Sequence, residues 1–245
     1  VDGLDEADWI TLSPDGSHAY VTGRSDDSVS WFDRNATSGA LTYGGMLKDG
    51  VDGVDGLNGA AEVKISEDGA FAYATGWSDN AVSWFDRNAS TGALTYGGTL
   101  KDDGNGGPGL FQPNGLALST DGNHAYVTGA YDDSVSWFDR NASTGALTYS
   151  GTLKDEVTAL IDQGGVDGLD QANDVTLAPD GNHAYVTAYR DYAVSCFARD
   201  ASTGALTYIG IMKNGVDGVD GLRGTETISF SPDGNHAYVT SDYDK

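Results

Sequence analysis

The chain has 245 residues, and its 39% hydrophobic content is too high for a disordered polypeptide. Thirteen Lys and Arg against 37 Asp and Glu give a formal net charge of −24, which repels nucleic acid and anionic membrane surfaces. No apolar run approaches the roughly 20 residues of a membrane span. We therefore expect neither a nucleic-acid partner nor membrane insertion, and the single cysteine excludes an intrachain disulfide.

One ten-residue motif occurs five times, first as SPDGSHAYVT from Ser13 and last as SPDGNHAYVT from Ser231. Its turn glycines stand at positions 16, 69, 122, 181 and 234, so successive copies are 53, 53, 59 and 53 residues apart. A long, regular period indicates stacked copies of one supersecondary unit. We predict a single repeat array with units at about 1–50, 51–104, 105–163 and 164–215 and a partial unit at 216–245.

Each of the four complete units contains four predicted strands, here named A to D. In the first copy they cover residues 9–13, 18–22, 28–32 and 40–43, which are rich in β-branched and aromatic residues and are separated by polar turns. A parallel β-helix would use shorter coils, whereas repeated four-stranded antiparallel sheets are typical of a β-propeller. The predicted fold is all-β, a β-propeller of four-stranded antiparallel blades with four complete blades plus the first two strands of a fifth.

Two residue types recur at fixed positions and are interpreted as scaffold. Large residues on strand C are expected to fill the wedge between neighbouring blades; they are Trp31, Trp84 and Trp137, with Cys196 in the fourth copy. Histidines follow the turn glycine in four copies, where we expect them to face solvent without a catalytic role. They are His18, His124, His183 and His236.

The fifth copy ends at Lys245, where its strand C would begin. Three explanations are open: residues beyond Lys245 complete the blade, the blade is half-built, or a second chain completes it. Truncation is the favoured expectation.

The pairing of SPDGNHAYVT with WFDRNASTGALTY resembles the YVTN-type repeat and the lactonase-like β-propellers over nearly the whole chain. That resemblance implies the propeller fold. Members of the group include sugar-lactone hydrolases, surface-layer proteins and surface-protein modules. The enzymes usually have seven blades, and no isolated His–Glu–Arg cluster of this chain matches their catalytic residues. The resemblance is therefore specific for the fold and weak for the activity.

The repeats differ most at the start of strand A, seven or eight residues before each turn glycine. If strand A is innermost, polar side chains there surround the mouth of the central channel. Converging carboxylate and amide oxygens suit calcium, whereas zinc prefers His or Cys; side chains that bind only water are the alternative. The candidate metal ligands are Asp8, Glu62, Asn114, Asp174 and Glu226.

Arginines and aromatic residues at the turns between strands B and C, together with one tryptophan of strand A, favour a rim that binds a sugar or a peptide. Single exposed aromatic residues are also common without a function. The candidate ligand-binding residues are Trp9, Arg24, Trp77, Tyr131, Tyr189, Arg190 and Tyr243.

The linkers between blades offer a second calcium candidate, because Asp and Gly alternate in runs such as GVDGVDGL. Simple Asp-Gly turns are the alternative explanation. The residues are Asp49, Asp52 and Asp55, with Asp167, Asp170, Asp217 and Asp220 in later linkers. The third linker carries six extra residues near 155–162, for which we predict one or two helical turns.

Near-uniform repeats and an acidic surface favour a non-catalytic module on an extracellular or cell-surface protein, secreted and of bacterial type. Its partner would be a glycan, a peptide or a protein, or it would act as a scaffold within a larger surface protein. The alternative is a cation-dependent, lactonase-like hydrolase with its site at the channel mouth. No nucleophile–base pair stands out, so the sequence favours the module over the enzyme.

Overall fold

The computed structural model describes residues 2–102, 107–155 and 166–244. Within those residues the secondary structure consists of 18 β-strands. Blade 1 comprises β1 (Ala7–Leu12), β2 (His18–Gly23), β3 (Ser28–Arg34) and β4 (Leu41–Lys48), and blade 2 comprises β5 (Ala60–Ile65), β6 (Phe71–Gly76), β7 (Ala81–Arg87) and β8 (Leu94–Lys101). Blade 3 comprises β9 (Pro113–Leu118), β10 (His124–Gly129), β11 (Ser134–Arg140) and β12 (Leu147–Lys154). Blade 4 comprises β13 (Ala172–Leu177), β14 (His183–Ala188), β15 (Ala193–Arg199) and β16 (Leu206–Lys213), and half-blade 5 comprises β17 (Thr225–Phe230) and β18 (Ala237–Ser241).

Each complete blade is a four-stranded sheet in sequence order, and β17 pairs with β18 alone. All the strand pairs that the structure describes in these sheets are antiparallel. The predicted all-β propeller architecture is confirmed. The extra residues of the third linker lie largely outside the described residues, so the predicted helical turns there stay a prediction.

The chain divides into two compact units, each described by itself. Unit 1 comprises Val1–Asp103 and Arg140–Leu147, and unit 2 comprises Gly104–Asp139 and Thr148–Lys245. Unit 1 therefore contains blades 1 and 2, and unit 2 contains blade 4, half-blade 5 and most of blade 3.

The repeated motif forms the turn between the first two strands of each blade. In blade 1 the N–H of Ser13 donates to the carbonyl of His18 at 2.9 Å, and Gly16 has a φ of +67°. The Asp15 carboxylate accepts hydrogen bonds from the Ser13 hydroxyl at 2.5 Å and from the Ser17 N–H at 3.0 Å. The SPDG sequence thus closes a turn that an L-residue at the glycine position would strain.

The fourth strand of blade 1 is longer than predicted: β4 continues to Lys48, whereas the predicted strand ended at residue 43. The strand bulges opposite the position between Trp31 and Phe32. A Cβ on Gly44 would lie 2.6 Å from the Trp31 indole, and one on Gly45 would lie 2.5 Å from it. The two glycines therefore leave room for the indole. They also interrupt the alternation of apolar and polar residues from which the end of the strand was predicted.

The core of unit 1 lies between its two blades. Trp31 is 9% exposed and belongs to one cluster with Val54 and Leu57, which precede blade 2. An equivalent cluster in unit 2 contains Tyr126 and Phe197, with Trp137 packed against it. The expectation that the recurrent tryptophans fill wedges between blades is confirmed for these two copies.

The expectation that the histidines face solvent is wrong for His18 and His124, which are each 4% exposed. The next blade covers them: Nδ1 of His18 lies 2.9 Å from Nη2 of Arg87, and His124 has the same relation to Arg199. His236 is exposed and His183 half-buried. The hairpin position therefore packs against the following blade.

The part of the chain that the structure describes contains no helix long and apolar enough to cross a bilayer.

Candidate functional site

In every complete blade, an aspartate in the turn between the second and third strands accepts a hydrogen bond from the segment that leads into the first strand. In blade 1 the carboxylate of Asp26 accepts the N–H of Asp5 at 2.8 Å, and Asp191 accepts the N–H of Asp170 in blade 4 at 3.0 Å. This recurrent bond brings the most variable turns and linkers of each blade to one side. The side chains on that side are the candidates for function.

Five predicted site residues of unit 1 lie in two adjoining contacts. In the first, an Arg24 Nη1 donates to the Asp8 carboxylate at 2.9 Å, and the guanidinium lies 4.7 Å from the centre of the Trp77 ring. Asp8, a predicted metal ligand, therefore has a protein cation as its partner. Arg24 links a residue of β1 to an aromatic residue that follows β6.

The second contact, here called the Lys64 group, consists of Trp9, Glu62 and Lys64. The Lys64 ammonium lies 2.5 Å from a carboxylate oxygen of Glu62 and 4.6 Å from the centre of the Trp9 ring. Glu62 is 3% exposed, whereas Lys64 and Trp9 are half-buried. The group combines a buried carboxylate, a partly accessible ammonium and an aromatic face, on strands β1 and β5.

In unit 2, side-chain hydrogen bonds through Asn173 connect two further predicted metal ligands, Asn114 and Glu226. The amide of Asn114 donates to the side-chain oxygen of Asn173, and the amide of Asn173 donates to the Glu226 carboxylate at 2.6 Å. Asp174 is 6% exposed, and one of its carboxylate oxygens accepts the N–H of Ile228 at 3.1 Å. These contacts connect the first strands of blades 3 and 4 and half-blade 5, and the predicted role in metal binding stays a prediction.

The predicted ligand-binding aromatics of unit 2 stand in pairs in which Tyr189 is half-buried and the other rings are exposed. Tyr131 packs edge-on against Phe111 with ring centres 6.0 Å apart. Tyr189 packs against Tyr243 at 5.8 Å, and its hydroxyl donates to that of Tyr243 at 2.6 Å. That hydrogen bond raises the pKa of Tyr189 to about 12. Arg190 lies beside the second pair, at the turn after β14.

The alternating Asp-Gly linkers contribute to two aspartate triads. Asp49 and Asp55 lie with Asp79, and Asp155 and Asp167 lie with Asp191; in each triad the carboxylate oxygens are within 4.8 Å of one another. Burial, and then repulsion by Asp79, raises the pKa of Asp49. Asp52, Asp170, Asp217 and Asp220, also named from the sequence, do not belong to either triad.

A lysine forms salt bridges with two of the three carboxylates in each triad. The Lys101 ammonium lies 2.7 Å from Asp55 and 3.0 Å from Asp79. Lys213 lies 2.7 Å from Asp191 and 3.3 Å from Asp167. Each lysine thus supplies a protein cation beside the predicted calcium ligands, and calcium binding there stays a prediction.

Sequence reasoning missed Lys64, Lys101 and Lys213. Lys64 is two residues after Glu62 on one strand, so strand alternation alone places both side chains on the same face. Lys101 and Lys213 end the fourth strands of their blades in a repeated GTLK or GIMK sequence. That recurrent lysine beside the Asp-rich linker was the available signal for an internal counterion.

Repeated four-stranded blades with these inter-blade cores define the class of protein as a β-propeller. The family model described as "Lactonase, 7-bladed beta-propeller" matches residues 9–161 and 116–218. The chain belongs to this lactonase β-propeller family.

Solved structures of several bacterial propellers are similar to the chain. A candidate 6-phosphogluconolactonase from Bacteroides fragilis has a TM-score of 0.71 and 21% identity, over 95% of this chain and 62% of that one. The periplasmic gluconolactonase of Pseudomonas aeruginosa has a TM-score of 0.66 and 20% identity, over 85% of this chain and 54% of that one. A protein of unknown function from Desulfotomaculum acetoxidans has a TM-score of 0.70 and 17% identity, over 99% and 68%.

The chain thus spans about three-fifths of the length of the Bacteroides protein. At these identities the similarity shows the fold. A comparison with curated proteins gave no match.

Proposed function

We propose that the protein hydrolyses the lactone of a sugar acid, with the Lys64 group as the reacting site. The single observation that carries the proposal is the Lys64 ammonium, 2.5 Å from the Glu62 carboxylate and 4.6 Å from the Trp9 ring centre, within a chain of the lactonase family. The similar proteins from Bacteroides and Pseudomonas are described as lactonases of gluconate-type sugars. This supports the hydrolase over the non-catalytic module that the sequence alone favoured.

The three side chains suit the steps of lactone opening. Glu62 acts as general base and takes a proton from the attacking water. The water oxygen bonds to the lactone carbonyl carbon, and the Lys64 ammonium stabilises the negative charge that forms on the carbonyl oxygen. The bond from that carbon to the ring oxygen then breaks, and Glu62 returns the proton to the ring oxygen, which gives the open-chain hydroxy acid.

Trp9 would orient the substrate. Its ring offers an apolar face beside the ammonium, against which the carbon skeleton of a sugar ring can pack. No step requires a metal ion in this scheme, because the ammonium supplies the positive charge.

A direct test is to mix the 245-residue chain with gluconolactone and to measure lactone opening through the protons released at constant pH. The proposal predicts a rate above the spontaneous one that is proportional to protein concentration, with gluconate as the product. The proposal would be refuted if both gluconolactone and 6-phosphogluconolactone opened no faster with the protein than in buffer alone.

A further inference from the structure

Unit 2 contains a cleft of about 510 Å³ that is separate from the Lys64 group. Its lining residues are Tyr192, Asn214, Gly215, Arg223 and Tyr243. They come from the turn after β14, the linker between β16 and β17, and the segment that follows β18. The volume lies within the range of about 300–1,000 Å³ that is usual for small-molecule sites.

Arg223 gives the cleft a positive charge. Its backbone N–H donates to the Asp244 carboxylate at 2.6 Å, but its guanidinium takes part in no salt bridge among the described residues. Eight other cationic side chains do form such bridges. They are Arg24, Lys64, Arg87, Lys101, Arg140, Lys154, Arg199 and Lys213. In a chain of net charge −24, the guanidinium of Arg223 is therefore available to an anionic ligand.

Two tyrosine rings form the apolar part of the lining. Tyr243 is held by the edge-on contact and hydroxyl bond with Tyr189, at 5.8 and 2.6 Å. A Cβ on Gly224 would lie 2.8 Å from the Tyr243 ring, so this glycine lets the ring lie close against the chain. Tyr192 is 39% exposed. Both rings thus present accessible faces to a ligand.

Asn214 supplies neutral hydrogen-bonding groups. Its side-chain oxygen accepts the N–H of Leu222 at 3.1 Å, and this bond fixes the orientation of the amide. The two amide N–H donors remain suited to a hydroxyl of the ligand. The cleft therefore combines one cation, two aromatic faces and an oriented amide.

We propose that this cleft binds a uronic acid residue of an acidic glycan. The carboxylate pairs with the Arg223 guanidinium, the sugar ring packs against Tyr192 and Tyr243, and Asn214 donates to a ring hydroxyl. A singly charged carboxylate fits better than a phosphate dianion, because the Asp244 carboxylate, which accepts the Arg223 N–H at 2.6 Å, repels a dianion more strongly than a monoanion. The site is independent of lactone hydrolysis.

The test is titration of the 245-residue chain with D-glucuronate, glucose and glucose 6-phosphate, observed through the NMR signals of the tyrosine rings and by calorimetry. We expect saturable binding of glucuronate, at least tenfold tighter than that of glucose or glucose 6-phosphate. Arg223→Gln should weaken glucuronate binding at least tenfold, and Tyr192→Ala should weaken it severalfold. Arg223→Lys should restore part of the loss.

Lys154→Gln is the matched control, because Lys154 is a cationic residue of the same unit that does not line the cleft and pairs with Asp132 in blade 3. It should leave the affinity for glucuronate within twofold of wild type. Equal losses in the Lys154 and Arg223 variants would show a general charge effect and overturn the proposal. Binding of glucose or glucose 6-phosphate as tight as that of glucuronate would also overturn it, whatever the outcome for lactone hydrolysis.

Discussion

Arg199 of blade 4 reaches into blade 3, where its Nη2 lies 2.9 Å from Nδ1 of His124. The same guanidinium donates to the Tyr126 hydroxyl at 2.6 Å and to the Asp121 carboxylate at 2.8 Å. The Tyr126 hydroxyl in turn donates to the carbonyl of Gly204 at 2.9 Å. Burial raises the pKa of Tyr126 to about 12, so the tyrosine stays neutral in this network at physiological pH.

This arrangement predicts that unit 2 loses stability as the pH falls below about 6.5. Burial, and then the charge of Arg199, lowers the pKa of His124 below its ordinary value of 6.5. The unfolded chain therefore binds more protons than the folded one below that value, and the free energy of unfolding falls on acidification. Thermal melting between pH 7.5 and 5.5 should show the loss for wild type.

The His124→Phe variant tests the cause of this pH dependence. Phenylalanine is the natural residue at the equivalent position 71, where the Arg140 guanidinium lies 5.1 Å from its ring centre. The variant should show a smaller change in Tm across this pH range than wild type does. His236→Phe, at an exposed copy of the position, is the control and should keep the wild-type slope. Equal slopes for His124→Phe and wild type would contradict the assignment.

Arg199→Met should cost about 3 kcal/mol in the free energy of unfolding. It removes a buried guanidinium from its pair with the partly exposed Asp121, 33% of whose side chain is accessible, and leaves the Tyr126 hydroxyl without its donor. The matched variant Arg34→Met removes a half-buried arginine with one described hydrogen bond, to the Gly16 carbonyl at 3.0 Å. It should cost no more than about 1 kcal/mol. If urea unfolding gave equal losses of unfolding free energy for the two variants, the inter-blade contacts of Arg199 would make no net contribution to stability.

Lys101→Gln should lower the stability of unit 1 by about 1 kcal/mol, since the pairs it removes are partly exposed. The carboxylates of Asp49, Asp55 and Asp79 then lack a counterion, and millimolar calcium should raise the Tm of the variant more than magnesium does. Wild type should show no such preference for calcium. A calcium-specific rise in Tm for wild type as large as that of the variant would mean that the lysine does not replace a metal ion.

The fold followed from the sequence because its signals are local and repeated. The SPDG turn, alternating strands and a fixed period predict the blades, and the one large error in strand length comes from the Gly44–Gly45 bulge against Trp31. Burial of His18 could not be predicted in this way, because Arg87, which covers it, belongs to the next blade.

The candidate site was only partly predictable for the same reason. Glu62 and Trp9 stand out as departures from the repeat, but the contact between them runs through Lys64, and β1 and β5 belong to different blades. Asp79 joins Asp49 and Asp55 from a separate turn. Such groupings depend on how blades pack, which periodicity does not specify.

The most direct test of the proposed activity compares Glu62→Gln with Glu67→Gln in the opening of gluconolactone. Glu67 is an exposed glutamate that follows the same strand and makes none of the contacts of the Lys64 group. Loss of the general base should lower kcat about 100-fold or more in Glu62→Gln, while Glu67→Gln keeps the wild-type rate, and circular dichroism should show that both variants are folded. A folded Glu62→Gln protein that opens the lactone as fast as Glu67→Gln would contradict the account.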